Sequence, residues 1–468
     1  MAELREFSVA LTEDLARDLL DHLSKGSRQE DLTFAIWRES TGVRRTTSII
    51  QRLVLPLDGE RELHGNASFA TDYVLRALQE LAPGEGLALI HSHLTPGWQG
   101  MSQDDIVAER DRLASAVYGR TGLPVVGVTT GTDGALSARR WLRQKQSSWE
   151  IHEATSARVV GRRLRSTFHP ELSPRQSRGN AQVATVSVWG DEHQADLARI
   201  RVGIVGLGSV GSLVAESLAR VGVCNFVLID YDLVEERNLD RTAGAERSDI
   251  GRAKVAVAAD HIRRVGTGRE IDVQAVCYSV LSRPGYGAAL DCDVLFSCVD
   301  RPLPRHLLNA LAYAHLVPVI DGGILAEVIE AKLIHADWRI HTIGPSRACL
   351  MCLGALDAGD VAMDQAGMLD DPDYIKKLDA SRQRSVSRRN VFPFSMSVAA
   401  HEVLQMVTLI TGLERVGGIG PQFYHCYPGV MDVLPTVMCE EGCENGSMVA
   451  TAVDLSGNLV HGKDWTSD

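Results

Sequence analysis

The 468-residue chain lacks the features that mark several specialised classes of protein. No run of about 18 apolar residues occurs, and residues 1–10 contain no basic region followed by an apolar core, so the sequence predicts neither a membrane span nor a secretion signal. Basic residues are not in excess, because the formal net charge is −12, which argues against a general nucleic-acid binder. Nine cysteines, an odd number, are too few for a disulfide scaffold at this length. We therefore expect a cytoplasmic protein with discrete partners.

The residues that are present predict two α/β domains joined by a linker. With 45% hydrophobic side chains, the chain is long enough for two or three globular domains, each with its own core. Alternating helix and strand patterns predict one domain over 1–145, beginning with a leucine-rich helix at 11–23. Residues 146–192 are predicted to form a linker, since Ser, Arg and Gln accumulate there. In 193–468 the order strand, glycine loop, helix, strand predicts a Rossmann-like, doubly wound parallel sheet.

Two histidines stand at the end of a predicted strand in the first domain. Side chains alternate direction along a strand, so His91 and His93 point to the same side. Asp105, just inside the next predicted helix, offers a third ligand, and three protein ligands leave the fourth tetrahedral position of a catalytic zinc ion for water. Ser102 is placed to cap that helix, and its hydroxyl can hydrogen-bond an oxyanion. This spacing indicates a hydrolytic metal centre.

The same stretch resembles the JAMM (JAB/MPN) metalloprotease family, whose motif is an upstream Glu, then H-x-H, then S-x-x-D. The resemblance implies that this Glu is the general base; Glu30 matches by position, and Glu39 is the alternative. One extra residue separates His93 from the acid. Counting from His93 selects Asp104, whereas the S-x-x-D register selects Asp105, which we prefer because the helix start ties serine and aspartate together.

A glycine-rich loop, G-L-G-S-V-G-S, follows a strand predicted at Val202–Val205 and opens a predicted helix. The glycines permit a tight turn and close backbone approach, and the helix N-terminus favours an anionic phosphate. Taken alone, such a loop more often binds a dinucleotide. Its candidate nucleotide-binding residues are Gly206, Gly208, Gly211 and Ser212.

The residues after this loop distinguish the domain from a dehydrogenase. From Asp230 to Arg241 the chain reads D-x-D-x-V-x-x-x-N-L-x-R, and Lys254 follows in a helical segment. This pattern resembles the ThiF/MoeB and ubiquitin-activating-enzyme superfamily over roughly residues 191–446. The resemblance implies an ATP-dependent adenylation of a carboxylate and a homodimer formed through this domain.

The resemblance also implies a role for each residue around ATP. It implies that Asp230 binds the ribose and that Asp300 binds magnesium. It also implies that Asn238, Arg241 and Lys254 surround the phosphates. Cations neutralise the charge that builds on the α-phosphate as a carboxylate attacks it. The chain departs from the usual Gln and Asn of the superfamily at Thr242 and Arg301.

Four cysteines occur in two close pairs. Cys349 and Cys352 enclose two residues, Cys439 and Cys443 enclose three, and four thiolates suit a closed structural zinc site. The resemblance implies such a site, usually with two residues inside each pair.

No cysteine lies between Gly354 and Pro393, where activating enzymes that form a thioester usually keep their nucleophile. Either the adenylate passes directly to an acceptor, as in sulfur-carrier activation, or a hydroxyl in the polar stretch 381–389 forms an ester. A third possibility is that this stretch is a basic loop that docks an acidic partner.

These observations lead to one principal hypothesis and three alternatives. The principal hypothesis is a bifunctional enzyme, in which a zinc peptidase processes the Gly-ended C-terminus of a ubiquitin-like protein and an ATP- and magnesium-dependent domain adenylates it for a conjugating-type enzyme or another acceptor. The first alternative is activation of a sulfur carrier, with the peptidase maturing that carrier. The others are a non-catalytic nucleotide-binding scaffold and a dehydrogenase.

Overall fold

The computed structural model describes residues 5–24, 29–64, 66–144, 148–176, 179–329, 332–370, 390–413, 420–435 and 437–458. The chain divides into two compact units. The first unit comprises Met1–Arg175 and Ala450–Ala452, and the second comprises Gln176–Val449 and Val453–Asp468.

The first unit is built on a nine-stranded mixed sheet with the strand order β11-β10-β1-β3-β2-β6-β7-β8-β9. A separate hairpin is formed by β4 and β5. The strands are β1 (Glu6–Thr12), β2 (Leu32–Thr41), β3 (Arg45–Val54), β4 (Arg61–His64), β5 (Asn66–Phe69), β6 (Glu85–Ser92), β7 (Val125–Thr130), β8 (Leu136–Arg143), β9 (Trp149–Glu153), β10 (Ser156–Val160) and β11 (Leu164–Phe168). The helices are α1 (Glu13–Leu23), α2 (Thr71–Gln79), α3 (Gln103–Ile106), a π-helix (Val107–Leu113) and α4 (Ala114–Thr121).

The inner strands of this sheet, such as β2 and β6, pack apolar side chains into a core on each face. In β2, Phe34 and Ile36 join a core that also contains Tyr73 of α2, whereas Ala35 and Trp37 lie in the core on the opposite face. This alternation is the period of two expected of a strand, applied to a sheet that has apolar neighbours on each side.

The second unit contains an eight-stranded sheet in the order β14-β13-β12-β15-β16-β17-β18-β19. The strands are β12 (Arg201–Val205), β13 (Asn225–Ile229), β14 (Asp272–Val276), β15 (Val294–Ser297), β16 (Val319–Ile329), β17 (Lys332–Ile343), β18 (Gln422–His425) and β19 (Val430–Val433). The helices are α5 (Val183–Arg199), α6 (Ser209–Val221), α7 (Lys254–Val265), α8 (Arg283–Leu290), α9 (Pro302–Ala314), α10 (Ala358–Gln365), α11 (Phe392–Thr411) and α12 (Glu444–Ser447). Short 3-10 turns occupy Asn180–Gln182, Glu236–Asn238, Arg247–Asp249, Met368–Asp370 and Ser456–Asn458.

The first five strands of this second sheet are parallel, and the last three are antiparallel. Val205 of β12 pairs in register with both Ile229 of β13 and Ser297 of β15. The residues that follow these three strand ends therefore meet at the carboxyl edge of the sheet, where open α/β sheets bind their ligands.

Helix α11 is long and apolar enough to cross a membrane by length and composition alone. Most of it is buried, and its buried residues include the polar side chains of Glu402, Gln405 and Thr408. It packs on α6 and β16 as a core helix of the second unit.

The structure differs from the sequence-based boundaries in two places. Residues 146–192 were expected to form a linker, yet 149–168 supply strands β9, β10 and β11 of the first sheet, and α5 begins at Val183. Strand β1 precedes the first helix, which begins at Glu13 after Thr12 caps it. Strands β9, β10 and β11 are too short to show a clear apolar periodicity in the sequence. Their structure is determined by pairing with strands that are distant in sequence.

Candidate functional site

In the first unit, the end of β6 presents two imidazoles on one side of the sheet. His91 is buried and His93 is half-buried, and their Nε2 atoms lie 3.2 Å apart. The backbone N–H of His93 donates to the carbonyl of Thr130 on the parallel strand β7, which continues the pairing beyond the last residue of β6. The strand pairing therefore fixes the direction of both rings.

Asp105 is brought to these histidines by the N-terminus of α3. The Ser102 hydroxyl accepts a hydrogen bond from the Asp105 N–H at 3.2 Å, and the Asp105 carboxylate accepts one from the Ser102 N–H at 2.7 Å, a reciprocal capping box. One carboxylate oxygen lies 3.1 Å from Nε2 of His91, and the other lies 3.4 Å from Nε2 of His93. These separations match the edges of about 3.3 Å of a tetrahedron with zinc–nitrogen distances near 2.0–2.1 Å.

The charges of the three groups reinforce one another. Burial acts to raise the pKa of Asp105, but hydrogen bonds from His91 and His93 outweigh it and hold that pKa well below its usual range. The hydrogen bond to Asp105 raises the pKa of His93 despite partial burial, and the nearby charge of Glu30 adds to this effect. The cluster of His91, His93 and Asp105 can therefore hold a divalent cation.

The alternatives left open for this site occupy different places. Glu30 precedes β2, whose Leu32 pairs with His91, so antiparallel register carries Glu30 towards His93. Glu39 lies near the other end of β2, about 22–24 Å from Leu32 along the strand. The group of side chains that could hold a metal ion contains Asp105, and it does not contain the exposed neighbour Asp104.

A buried polar network beside the histidines is not predicted from the sequence. Glu109, in the π-helix, is fully buried and accepts hydrogen bonds from Arg139 and from the indole N–H of Trp141 at 2.9 Å. Arg139 also donates to the hydroxyl of Thr129, which lies 3.3 Å from Nε2 of His91. These residues come from three separate elements, and no local motif marks their association.

In the second unit, the glycine loop makes the tight turn expected of it. Gly206 has φ of +88°, and a Cβ there would lie 2.6 Å from the carbonyl oxygen of Cys298. A Cβ on Gly211 would lie 1.9 Å from the carbonyl oxygen of Gly206, whereas one on Gly208 would meet nothing within 4 Å. Gly208 caps helix α6, so the loop exposes the N-terminus of that helix at the carboxyl edge of the sheet.

The candidate acids gather at the same edge. Asp230 is buried after β13; its carboxylate accepts hydrogen bonds from the N–H of Leu207 at 2.6 Å and of Asp232 at 2.8 Å, while burial raises its pKa. Burial also raises the pKa of Tyr231 to about 12, and the nearby charges of Asp232, Asp230 and Asp300 add to it. The exposed carboxylate of Asp300 therefore belongs to an edge rich in acidic side chains. Carboxylate oxygens are ligands that magnesium prefers.

The candidate phosphate-binding side chains each have a local partner. Lys254, at the start of α7, donates to Asp232 at 2.7 Å, and Arg241 pairs with Asp240 at 2.8 Å. The Asn238 side chain accepts from the N–H of Glu235 and closes a 3-10 turn. The buried Ser212 hydroxyl accepts from the Ala243 N–H at 3.0 Å, which fastens this segment to the first turn of α6.

Two charged groups near these strand ends were not assigned roles from the sequence. Arg301 pairs with Asp364 at 2.5 Å and with Asp370 at 2.8 Å. Asp321, fully buried on β16, pairs with Arg305 and Arg339, each at 2.8 Å. Burial raises the pKa of Asp321, and the charge and hydrogen bond of Arg305, with a hydrogen bond from Ser297, oppose that rise. The polar stretch 381–389 lies outside the described residues.

The four paired cysteines form a single cluster in the second unit. Their sulfur atoms all lie within 4.8 Å of one another, and Sγ of Cys349 and of Cys443 are 3.7 Å apart, close to the edge of about 3.8 Å of a tetrahedral zinc–thiolate site. The N–H groups of Cys349, Cys352 and Glu440 point at cluster sulfurs. Hydrogen bonding from Cys439 lowers the pKa of the Cys349 thiol. The donor set can therefore hold zinc.

Comparison with known proteins concerns the second unit. The ThiF family matches residues 180–420. Molybdopterin-synthase adenylyltransferase of Escherichia coli is 31% identical over 189 residues, which are 40% of this chain and 71% of that protein. SAMP-activating enzyme E1 of Haloferax volcanii is 30% identical over 35% of this chain and 57% of its own length. Sulfur carrier protein ThiS adenylyltransferase of Bacillus subtilis is 25% identical over 48% of this chain and 58% of its own length.

Among solved structures, that of E. coli MccB with ATP covers 57% of this chain and 74% of its own, with a TM-score of 0.43 and 16% identity.

Proposed function

Because this chain belongs to the ThiF family, we propose that its second unit uses ATP to adenylate the C-terminal carboxylate of a small sulfur-carrier or ubiquitin-like protein with a Gly-ended tail. The observation that carries the proposal is the meeting of the α6 N-terminus, Asp230, Asp300 and Lys254 at one edge of the sheet. A sulfur carrier protein is named in the description of the ThiS adenylyltransferase, and the name of the Haloferax volcanii relative is SAMP-activating enzyme E1.

The relatives favour the sulfur-carrier alternative over the conjugation pathway that leads the sequence-based hypotheses. Two of the three relatives described above are named as adenylyltransferases for molybdopterin synthase or a sulfur carrier. The absence of cysteine between Gly354 and Pro393 agrees with direct transfer of the adenylate. A conjugating-type enzyme as acceptor remains the second candidate, and a homodimer through the second unit forms part of both.

The proposed roles follow from charge and position. The N-terminus of α6 favours the phosphates, and Arg241 and Lys254 would exchange their present carboxylate partners for phosphate oxygens as charge builds at the α-phosphate. Asn238 would orient that segment, and Asp230 would meet the ribose while it holds the loop through the Leu207 N–H. Magnesium held by Asp300 would supply further charge neutralisation.

For the first unit we propose a zinc-dependent peptidase of the JAMM type, which matures the carrier by cutting beyond its glycine tail. His91, His93 and Asp105 would hold the metal, whose chemistry is to lower the pKa of a bound water. Glu30 would accept the proton from the attacking water. The Ser102 oxygen already accepts the Asp105 N–H, so its hydroxyl would donate a hydrogen bond to the oxyanion.

The four-cysteine cluster is proposed to hold a structural zinc ion. Four sulfurs in one group leave no position open for a substrate, which is the arrangement of structural sites. The backbone N–H groups directed at the sulfurs would stabilise their thiolate form.

The adenylation proposal is tested by ATP–pyrophosphate exchange with the purified full chain. We expect exchange that depends on a Gly-Gly-ended sulfur carrier and is weaker with a ubiquitin-like modifier; the reverse order would favour conjugation. Exchange with neither protein, together with binding of NAD in place of ATP, would sink the adenylation proposal in favour of a dehydrogenase.

The peptidase proposal is tested with a carrier extended beyond its glycine tail. We expect Glu30→Gln to lower cleavage by about 10²–10⁴-fold, the usual contribution of a general base. Glu39→Gln is the matched control, because Glu39 lies near the far end of the same strand. Equal activity of both variants and the wild type would remove Glu30 from this role, and absence of cleavage with intact exchange would leave only a binding role for the first unit.

A further inference from the structure

One arginine of the first unit contacts two residues that each neighbour a candidate metal ligand. Arg139, on β8, is 1% exposed and hydrogen-bonds the Glu109 carboxylate on one side and the Thr129 hydroxyl on the other, the latter at 2.5 Å. Thr129 lies next to His91 in the parallel pairing of β7 with β6. Glu109 follows Asp105 by four residues in the same run of helix.

The contact with Thr129 has a defined direction. A guanidinium can only donate, so the Thr129 oxygen accepts from Arg139 and its own proton points elsewhere. That oxygen lies 3.3 Å from Nε2 of His91, the nitrogen that also faces His93 and Asp105. The hydroxyl therefore borders the space between the three ligand groups, and Arg139 fixes its orientation.

The contact with Glu109 depends on a missing side chain. A Cβ on Gly127, the β7 residue paired with Arg139, would lie 2.2–2.4 Å from the Glu109 carboxylate. Because Gly127 has none, the carboxylate lies against β7 and reaches both Arg139 and Trp141 of β8. This anchors the helical run that contains Asp105 in its first turn to the strands next to His91.

We propose that Arg139, through Thr129 on one side and Glu109 on the other, sets the separation of the His91 imidazole and the Asp105 carboxylate, and thereby the metal affinity of this centre. The inference rests on the metal centre proposed above. Arg139, Thr129 and Glu109 are positioning residues, because they act on the ligand groups and touch no substrate. Outer partners of metal ligands commonly change metal affinity by about 10–100-fold.

The test is zinc affinity of the full chain, measured by competition with a chromophoric chelator. Thr129→Val removes one hydroxyl and leaves the Glu109–Arg139 pair intact, and we expect about 10-fold weaker binding at this centre. Thr129→Ser keeps the hydroxyl and is expected to restore wild-type affinity. Thr130→Val is the matched control, since successive side chains of a strand point to opposite faces. A His91→Ala chain defines the zinc bound elsewhere, including the cysteine cluster.

A second variant tests the contact between Arg139 and Glu109. Gly127→Ala displaces the Glu109 carboxylate without changing a charge, and it is expected to weaken zinc binding and to shift the absorption bands of cobalt bound at this centre. If Thr129→Val and Thr130→Val bind zinc with equal affinity, the proposal about Arg139 is overturned and the proposed metal centre is unaffected. Equal zinc binding by wild type and His91→Ala would overturn the proposed metal centre itself.

Discussion

The candidate residues of the two units differ in the partners they already have. In the first unit the liganding atoms of His91, His93 and Asp105 face one another within 4.8 Å. In the second unit the cations Arg241 and Lys254 are engaged by neighbouring carboxylates. A site for a single ion can be completed by folding, because a strand end and a helix cap position all its atoms. In the proposed nucleotide site, by contrast, the two long side chains would have to leave these carboxylates in order to bind phosphate oxygens.

The first way to break this comparison is to remove one ligand from the preformed centre. His93→Ala is expected to abolish measurable zinc binding at this centre, a loss greater than the roughly 100-fold upper range of outer-partner changes. The second unit should keep ATP–pyrophosphate exchange within about twofold, because among the described residues the two sites share no side chain and no hydrogen-bond partner, and independent sites contribute additively. Bound zinc and exchange are measured on the same preparation. A parallel fall in exchange would mean that the two sites are coupled.

The second test removes Lys254, the cation that would leave Asp232 to bind phosphate in the proposed site. Lys254→Ala is expected to lower exchange by about 10²–10³-fold, the usual cost of losing one group that stabilises transition-state charge. The matched control is Arg252→Ala, two residues away, whose side chain pairs with Asp249 and Asp260 on the surface. Equal effects of the two substitutions would show that Lys254 acts only through overall charge.

The third test concerns how the glycine loop is held. In Gly211→Ala the new methyl group would lie 1.9 Å from the carbonyl oxygen of Gly206, so the loop must shift. Overpacking of this kind costs about 1–3 kcal/mol of unfolding free energy. In Gly208→Ala the methyl group meets nothing within 4 Å, so this control should cost only the preference for glycine over alanine at a helix N-cap, less than about 1 kcal/mol. Urea unfolding of both variants measures the difference, and equal stabilities would show that the loop is more plastic than its geometry indicates.

The sequence predicts those parts of the sites whose contacting residues lie close together along the chain. The capping box joins Ser102 and Asp105, which are three positions apart, so its spacing is visible in the sequence and the structure contains it. The glycine turn and its helix are equally local. Arg139 and Glu109, thirty residues apart, meet only because β7 and β8 pair in one particular register. Nothing in the local sequence encodes that register, since it is set by packing of the whole sheet.

The strands predicted as linker were missed for a related reason. In β9 (Trp149–Glu153) the side chains are partly or fully exposed, and the strand pairs only with β8 at the edge of the sheet. An edge strand with charged residues carries no clear apolar period, so its pairing partner determines its structure.

The two units also treat buried acids differently. Glu109 in the first unit is fully buried and accepts hydrogen bonds from Arg139 and Trp141. Glu402, on α11 of the second unit, is equally buried, but neither of its oxygens has a partner of ordinary hydrogen-bond geometry among the described residues. Burial raises the pKa of Glu402 well above its usual range, the nearby Asp321 carboxylate adds to the rise, and the backbone of Gly322 opposes it.

The last prediction, with the smallest effect per pH unit, follows from this acid. The folded protein keeps the Glu402 proton to a higher pH than the unfolded chain, where the pKa is about 4.3. Its contribution to stability is therefore complete below that pH and is lost progressively as the pH rises towards the folded pKa. Above about pH 4.3, and for as long as the folded protein keeps this proton, Glu402→Gln should remove up to about 1.4 kcal/mol per pH unit from the downward slope of the unfolding free energy.

Asp249→Asn is the control, measured by the same urea titrations. A backbone hydrogen bond from Glu246 lowers the pKa of Asp249 below its ordinary value, so this acid is ionised in both folded and unfolded chains from pH 5 to 8. Its substitution shifts stability by a constant amount and leaves the slope unchanged. If Glu402→Gln also leaves the slope unchanged, Glu402 is ionised in the folded protein, and a counter-charge or water must reach it beneath α11.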